Sequence, residues 1–185
     1  MYRKILERLE ASPVIAAVKE KNFERALASP VDVLFMLGIG ILNARERIEK
    51  AHQAGKYVFV HIDLAEGIGK DRHGIAYLAD CGADGIISTK STLLRYAKEY
   101  GLATVQRFFA YDTQGVVSID EVLSQSNPDI IEIMPGVIGK IIERFAHREI
   151  PLIAGGLIET KAEVTAALYQ GALAVSTGKE TLWYL

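Results

Sequence analysis

The sequence lacks the features that mark disulfide-bonded, membrane-spanning and secreted proteins. Its 185 residues contain one cysteine, Cys81, which excludes an internal disulfide framework and a cysteine-rich zinc site. The longest apolar stretch, residues 33–42, is about half of the ~20 residues that a membrane helix requires. Residues 1–10 mix charged and apolar side chains and contain no apolar signal-peptide core. We therefore expect a soluble, cytoplasmic protein without a membrane partner.

An excess of charge of one sign is also lacking. Lysine and arginine number 21 against 23 aspartate and glutamate residues, which gives a formal net charge of −2. No global attraction to nucleic acid is therefore expected, so any such contact requires a local basic patch. The chain also lacks a linker, a low-complexity tract and a block of like charges. Its length suits one domain, which we predict over residues 1–185.

What the chain does contain is an alternation of short apolar runs with amphipathic segments. The runs begin about 23 residues apart, which is the spacing of one short strand plus one short helix. No glycine-rich turn follows the first run, which argues against an open doubly wound sheet. The alternation therefore predicts a compact (β/α)8 TIM barrel with short helices. The predicted strands are residues 14–18, 33–37, 57–63, 85–88, 102–109, 129–135, 151–155 and 173–177.

Three of the amphipathic segments carry helix signals at their ends. We predict helices over residues 44–54, 91–100 and 160–170, each followed by glycine at the next position. Ser91 is predicted as the N-cap of the second helix, and Thr160 with Glu163 as the capping box of the third. Residues 5–9 have helical spacing and predict a short leading helix that plugs the amino-terminal end of the barrel.

Glycine-rich turns follow the seventh and eighth runs, where such barrels commonly bind phosphate. Glycine lets backbone N–H groups approach an anion, and a short helix predicted after the eighth run would favour negative charge. Tight turns alone would also require these glycines, but both turns in one barrel favour an anion site. The predicted phosphate-binding residues are Gly155, Gly156, Ser176, Thr177, Gly178 and Lys179.

Polar side chains at the ends of the middle strands are predicted to bind the rest of a small ligand. Alternation places His61 and Asp63 on one face, toward the barrel mouth. Glu132 is predicted to be interior, and a buried carboxylate requires a partner such as Arg107, Lys90 or His61. Either Gln106 or Arg107 faces inward. The predicted ligand-binding residues are His61, Asp63, Ser88, Lys90, Arg107 and Glu132.

The same residues leave other functions open. His61, Asp63 and Glu132 are a weaker metal alternative, and we expect no metal or cofactor. Lys90 could form a Schiff base, and a phosphate-anchored barrel with Glu132, His61 and Lys90 would suit an aldolase or isomerase of a small sugar or polyol phosphate. A protein-interaction module with a vestigial pocket is a third hypothesis. Because no catalytic constellation stands out, no catalytic residue is assigned and a non-enzymatic binding protein is favoured.

Seven segments in a fixed order resemble the glycerol-3-phosphate-responsive antiterminator family, the regulators of bacterial glycerol uptake operons. Among them are VFVHIDL at residues 58–64, DGIISTK at 84–90 and QRFF at 106–109. IEIMPG at residues 131–136 and IAGGLI at 153–158 follow. The remaining matches are residues 13–18 and Ser176-Thr177 with Leu182-Trp183.

The resemblance implies a transcription antiterminator that binds glycerol 3-phosphate, acts on the leader mRNA of glycerol-utilisation genes and catalyses nothing. One departure is Gly178, which stands where the family pattern leads us to expect a serine. Another is the loop after the second strand, residues 38–40, which has no polar side chain. By the resemblance, the ligand site would comprise His61, Asp63, Lys90, Arg107, Glu132, Gly155, Gly156, Ser176 and Thr177.

The RNA-binding surface has only weak candidates. The sequence shows no common RNA-binding motif and no platform of interleaved aromatic and basic residues. Lys140, Arg144 and Arg148 fall at i, i+4 and i+8 of a predicted helix, and residues 45–50 hold a second basic group. Both groups also fit solvated helix faces with interleaved glutamates. RNA contacts built across a homo-oligomer are a further alternative.

Overall fold

The computed structural model describes residues 2–185, which form a closed barrel of eight parallel strands ordered β1 to β8. β8 pairs with β1 through Ile15 opposite Ser176, and this pairing closes the ring. The architecture confirms the (β/α)8 TIM barrel. The strands are β1 (Val14–Val18), β2 (Val33–Met36), β3 (Tyr57–His61), β4 (Gly85–Ser88), β5 (Ala103–Phe109), β6 (Ile130–Met134), β7 (Leu152–Gly155) and β8 (Ala174–Thr177).

One helix precedes the first strand, and the helices that connect the strands cover the outside of the barrel. Within residues 2–185, no helix is long and apolar enough to cross a bilayer. Short 3₁₀ segments lie at Glu20–Asn22, Ile62–Leu64 and Glu180–Tyr184. The α-helices are α1 (Tyr2–Ala11), α2 (Phe23–Ala28), α3 (Ala44–Gln53), α4 (Arg72–Asp80), α5 (Ser91–Glu99), α6 (Thr113–Ser126), α7 (Gly139–Ala146) and α8 (Lys161–Tyr169).

Several predicted element ends require correction. The third strand stops at His61, because the chain turns there into the 3₁₀ segment that carries Asp63. The C-terminal helix is a five-residue 3₁₀ turn, too short for the macrodipole that the phosphate prediction invoked. Lys90, not Ser91, is the N-cap of α5, and the Ser91 hydroxyl accepts a hydrogen bond from Gln106 instead.

The capping box of α8 is confirmed. The Thr160 hydroxyl accepts from the Glu163 N–H, and the Glu163 carboxylate accepts from the Thr160 N–H at 2.9 Å. The Glu163 carboxylate also accepts from the Glu159 N–H at 2.8 Å, and this bond, followed by those from Thr160, lowers the pKa of Glu163 below its usual value. The helix therefore starts where the sequence signal places it.

Side-chain alternation along the strands divides the core into two clusters. Outward residues such as Val58 and Val60 pack against the helices. Inward residues such as Ile15, Phe59 and Val105 fill the barrel interior, together with Ile5 and Leu9 of α1. The leading helix therefore closes the amino-terminal end of the barrel, as predicted. The interior remains open to a ligand only toward the carboxyl ends of the strands.

A glycine and an aromatic ring approach each other closely in the barrel interior. Gly85 of β4 lies beside Phe59 of β3, and the two residues are register partners. A Cβ on Gly85 would overlap the Phe59 ring and lie 2.8 Å from the Ala103 carbonyl oxygen. The absence of a side chain at Gly85 thus makes room for the Phe59 ring in the barrel interior.

We expect Gly85→Ala to destabilise the protein by about 1–3 kcal/mol, because the added methyl group overpacks the interior. Urea unfolding followed by circular dichroism measures this change. Phe59→Leu in the same chain should recover part of the loss by making room. Gly178→Ala is the matched control, since a Cβ there has no heavy atom closer than the Ala17 carbonyl oxygen at 3.7 Å. Equal midpoints for Gly85→Ala and wild type would contradict the packing argument.

Candidate functional site

The mouth of the barrel carries a polar layer on top of the apolar interior. Along β5, Ala103 and Val105 lie in the interior cluster, so Arg107 faces inward and Gln106 faces the helices. The same alternation turns His61 of β3 and Glu132 of β6 inward. The open choice between Gln106 and Arg107 is thereby settled by the fold.

Glu132 is fully buried and both of its carboxylate oxygens are bonded. Its Oε2 accepts from Arg107 Nε at 2.6 Å, and its Oε1 accepts from Ser176 Oγ at 2.5 Å. Arg107 is thus the partner that a buried carboxylate requires. A Cβ on Gly155 would overlap Glu132 and lie 2.7 Å from Ser176 Oγ. The glycine therefore makes room for the carboxylate.

His61 lies in the same layer with 4% of its surface exposed. Its Nδ1 has no hydrogen-bond partner among residues 2–185. Burial, and secondly the positive charge of Arg107, lower the pKa of His61 from 6.5 to about 4. The imidazole is therefore neutral near pH 7 and offers one acceptor nitrogen and one donor nitrogen.

Asp63, Ser88 and Lys90 form a separate group at the ends of β3 and β4. Asp63 accepts from Ser88 Oγ and from the Thr89 N–H, both at 2.8 Å. Burial opposes ionisation of Asp63, but these hydrogen bonds dominate and lower its pKa. The Ser88 side chain lies on the helix side of its strand, and Lys90 is exposed. Asp63 and Ser88 thus help to fix the conformation of the loops after β3 and β4.

A cavity of about 390 Å³, here called the mouth cavity, opens above the Arg107–Glu132 pair. Its volume lies in the usual range for small-molecule sites. The predicted residues that line it are Arg107, Gly156, Ser176, Thr177, Gly178 and Lys179. Six predicted site residues do not line it: His61, Asp63, Ser88, Lys90, Glu132 and Gly155. Glu132 lies behind two lining residues, Arg107 and Ser176, to which it is bonded.

The two glycine-rich turns form one wall of the mouth cavity. Gly156 has φ +76°, and a Cβ on it would lie 2.7 Å from Met134 Cε, so only glycine fits there. Leu157 has φ +60°, which is uncommon for leucine and is often found at functional sites. The Thr177 hydroxyl donates to the Ile158 carbonyl oxygen at 2.7 Å. Thr177 thus ties the two turns together.

The loop after β1 contributes residues that sequence reasoning missed. Lys19, Lys21 and Asn22 line the mouth cavity, and the Lys19 N–H donates to Asn22 Oδ1 at 2.7 Å. Together with Arg107 and Lys179, these lysines give the lining a positive charge that Glu159 only partly offsets. The available signal was the rule that loops after barrel strands build the site. In the sequence, the lack of glycine in this loop indicated only that an open doubly wound sheet was excluded.

The positions of the described side chains give little support to the metal and Schiff-base alternatives. Among residues 2–185, no group of three histidine, cysteine, aspartate or glutamate side chains is placed to hold a metal ion. Lys90 does not line the mouth cavity, whereas the partners of Glu132 do. None of the three residues of the aldolase alternative, Lys90, His61 and Glu132, lines the mouth cavity.

The basic candidates near α7 do not form one helical stripe. Lys140 and Arg144 lie on α7, but the helix ends at Ala146, before Arg148. Arg144 pairs with Asp120 at 2.6 Å, and Arg148 pairs with the same carboxylate. Lys140 makes no ion pair with the described residues. Within residues 2–185, Lys140 is therefore the one cation of the three without an ion-pair partner.

The fold and the mouth cavity define a class: a (β/α)8 barrel with a cation-lined cavity at the carboxyl ends of its strands. Residues 14–183 match the family described as "Glycerol-3-phosphate responsive antiterminator". The chain belongs to this family.

Individual relatives agree with this assignment. The chain is 37% identical over 187 residues to the uncharacterized protein YgcP of Escherichia coli (strain K12), covering 98% of this chain and 96% of that protein. It is similar to the crystal structure of the glycerol uptake operon antiterminator regulatory protein from Listeria monocytogenes, with 32% identity and a TM-score of 0.88. That match covers 93% of this chain and 95% of the Listeria chain. An antiterminator-related protein from Thermotoga maritima has 31% identity and a TM-score of 0.82, covering 92% and 96% of the two chains.

Barrel enzymes share the fold alone. Deoxyribose phosphate aldolase from Aeropyrum pernix has 14% identity and a TM-score of 0.69, with 97% of this chain and 94% of that chain covered. Identity at this level transfers no activity to the chain.

The neutral state of buried His61 makes stability depend on pH. The unfolded chain binds a proton near pH 6.5, whereas folded His61 does so near pH 4. Stability is therefore intact above pH 6.5 and is lost as the pH falls from 6.5 toward 4. We expect wild type to lose about 2 kcal/mol more between pH 7 and pH 5 than His61→Gln does. Urea unfolding at the two pH values measures the difference.

His73→Gln serves as the control for this experiment, because His73 is exposed on α4. The His73→Gln protein should lose the same free energy of unfolding between the two pH values as wild type does. If His61→Gln and wild type lost the same free energy over this interval, His61 would not be held neutral by its surroundings.

Proposed function

We propose that this protein is a ligand-sensing transcription antiterminator that binds glycerol 3-phosphate in the mouth cavity and acts on the leader mRNA of glycerol-utilisation genes. The observation that carries the proposal is the combination of family membership with the cation-lined cavity. On this proposal the protein is cytoplasmic, acts without catalysis and needs no cofactor.

The charge distribution suits a small phosphate ester. Lys19, Lys21 and Lys179 come from loops that adjoin because β1 and β8 are neighbours. A phosphate beside the turns at Gly156 and Gly178 would meet these ammonium groups and the exposed backbone. Arg107 lies at the floor, where its guanidinium can reach a ligand while Nε stays on Glu132.

The glycerol half of the ligand would bind against the polar layer. The Ser176 hydroxyl and the guanidinium of Arg107 line the floor, beside apolar contacts from Leu37 and Met134. Glu132 would act by holding those two groups in place rather than by touching the ligand. His61, whose Nδ1 has no hydrogen-bond partner within residues 2–185, adjoins Arg107 in this layer.

Isothermal calorimetry with glycerol 3-phosphate tests the ligand, with glycerol and inorganic phosphate as controls. We expect saturable binding that requires both halves of the molecule. Lys179→Ala should weaken it about five- to tenfold, because one charge-assisted contact is lost. Lys4→Ala is the matched control, since Lys4 lies on α1 at the opposite end of the barrel. Equal affinity of the Lys179→Ala and Lys4→Ala proteins would reject the mouth cavity as the phosphate site.

Gly178→Ser tests the position of the phosphate within the cavity. A Cβ at residue 178 fits, and its backbone has no left-handed φ, so serine is accommodated without strain. The added hydroxyl should tighten glycerol 3-phosphate binding about two- to tenfold by one extra hydrogen bond. Gly178→Ala carries the same Cβ without the hydroxyl and should bind as wild type does. Identical calorimetric affinities for the serine and alanine variants would place the phosphate elsewhere.

A further inference from the structure

A second cavity, of about 440 Å³, lies between the amino-terminal turns of α6 and α7 and is here called the rim cavity. Both helices start at the carboxyl ends of the strands, so the rim cavity opens on the same face of the barrel as the mouth cavity. Val116, Ile138 and Ile141 give it an apolar floor, and Lys140 and Arg144 contribute charge. The ligand site described above does not use any of these residues.

An exposed aromatic stack borders the rim cavity. The rings of Phe109 and Tyr111 are nearly parallel, with centroids 5.3 Å apart and an interplanar angle of 5°. Tyr111 is 79% exposed, so one face of the stack meets solvent. Two such rings in one loop provide a flat platform on which a further planar group can stack. The sequence alone did not indicate this platform, because Phe109 ends β5 and the turn that follows it brings the Tyr111 ring onto the Phe109 ring.

Two cations and one carboxylate line the rim cavity, and one of the cations is unpaired in the described part of the chain. Lys140 has no ion-pair partner among residues 2–185, and Arg144 gives one nitrogen to Asp120 at 2.6 Å. Asp112 also lines the cavity, but its carboxylate accepts from the Gly115 N–H as the N-cap of α6. A flat aromatic face beside an unpaired ammonium group matches a nucleobase followed by its phosphate.

The second basic group of the sequence, on α3, differs from the rim cavity in that all of its cations form ion pairs. On α3, Arg45 pairs with Asp80, Arg47 with Glu20 and Lys50 with Glu24. Every cation of that group is thus neutralised locally. Because the whole chain has a net charge of −2, binding of a polyanion requires an unpaired local cation, and within residues 2–185 Lys140 of the rim cavity is such a cation.

The rim cavity shares strand ends with the mouth cavity. Phe109 lies two residues after Arg107 on β5, and Phe109 is the register partner of Met134 on β6. The Ala110 N–H, next to the stack, donates to the Met134 carbonyl oxygen at 2.8 Å. Met134 lines the mouth cavity and Ala110 lines the rim cavity. A ligand in the mouth cavity would therefore touch the same strand ends that hold the stack.

We propose that the rim cavity and the Phe109–Tyr111 stack bind a single-stranded segment of RNA. One base stacks on Tyr111, and the adjoining phosphate pairs with Lys140. The assignment rests on the proposed function, for which it names the RNA-contacting surface. A protein partner or a second copy of this chain is the competing occupant, and the experiment below distinguishes it.

Fluorescence anisotropy of a labelled, random-sequence single-stranded RNA of about 16 nucleotides tests the surface, because base stacking tolerates any sequence. The full-length protein is used, saturated with glycerol 3-phosphate. We expect Tyr111→Ala to weaken binding about tenfold, and Tyr111→Phe to bind as wild type does. Lys140→Ala should weaken binding and lower the slope of log affinity against log salt by about one.

Tyr169→Ala is the matched aromatic control, since Tyr169 is 92% exposed at the end of α8. It should bind RNA as wild type does. Unchanged RNA affinity in both Tyr111→Ala and Lys140→Ala would overturn the surface while leaving the proposed function intact. Absence of RNA binding by wild type, with glycerol 3-phosphate binding verified by calorimetry, would overturn both the surface and the RNA half of the function.

Light scattering of the same variants identifies the competing occupant. If Tyr111→Ala converted a wild-type oligomer into a monomer, the stack would be an interface between copies, and the RNA proposal would be rejected. We expect the same molar mass for wild type and the Tyr111→Ala protein.

Discussion

The buried carboxylate of Glu132 is the interaction on which the mouth of the barrel depends. A charge with no solvent contact is tolerated only when its neighbours satisfy it, so Arg107, Ser176 and the space at Gly155 are all consequences of one glutamate. These neighbours come from β5, β7 and β8, on either side of β6. The carboxylate thereby links strands across the interior as well as around the ring.

Around this buried centre, the loops carry the exposed positive charges of the mouth cavity. Lys19 and Lys21 follow β1, and Lys179 follows β8, so the closure of the barrel alone makes them neighbours. The loops are held by short polar contacts, such as Lys19 N–H to Asn22 and Thr177 hydroxyl to Ile158. The arrangement places exposed cations of the loops above a floor of buried, hydrogen-bonded side chains, which suits recognition of an anion.

The sequence was informative where periodicity governs the structure. The repeated strand-and-helix spacing predicted the barrel, strand alternation predicted the interior position of Glu132, and helical spacing predicted the plug formed by α1. It failed where the chain leaves the strand: Asp63 sits in a 3₁₀ turn, and its hydrogen bonds fix a loop. A lysine such as Lys19 looks like any solvated lysine until β1 meets β8, 160 residues later. The choice between Gln106 and Arg107 likewise needed the strand phase that the interior packing sets.

The helix that seals the amino-terminal end has a consequence for solvent access. Ile5 and Leu9 close the interior from below, so water and protons reach the polar layer from the mouth side. A molecule seated above Arg107 would therefore shield His61 and Glu132 from exchange with bulk solvent. The imidazole of His61 becomes an internal reporter of occupancy, because its ring resonances would sense whether the mouth is covered without any introduced label.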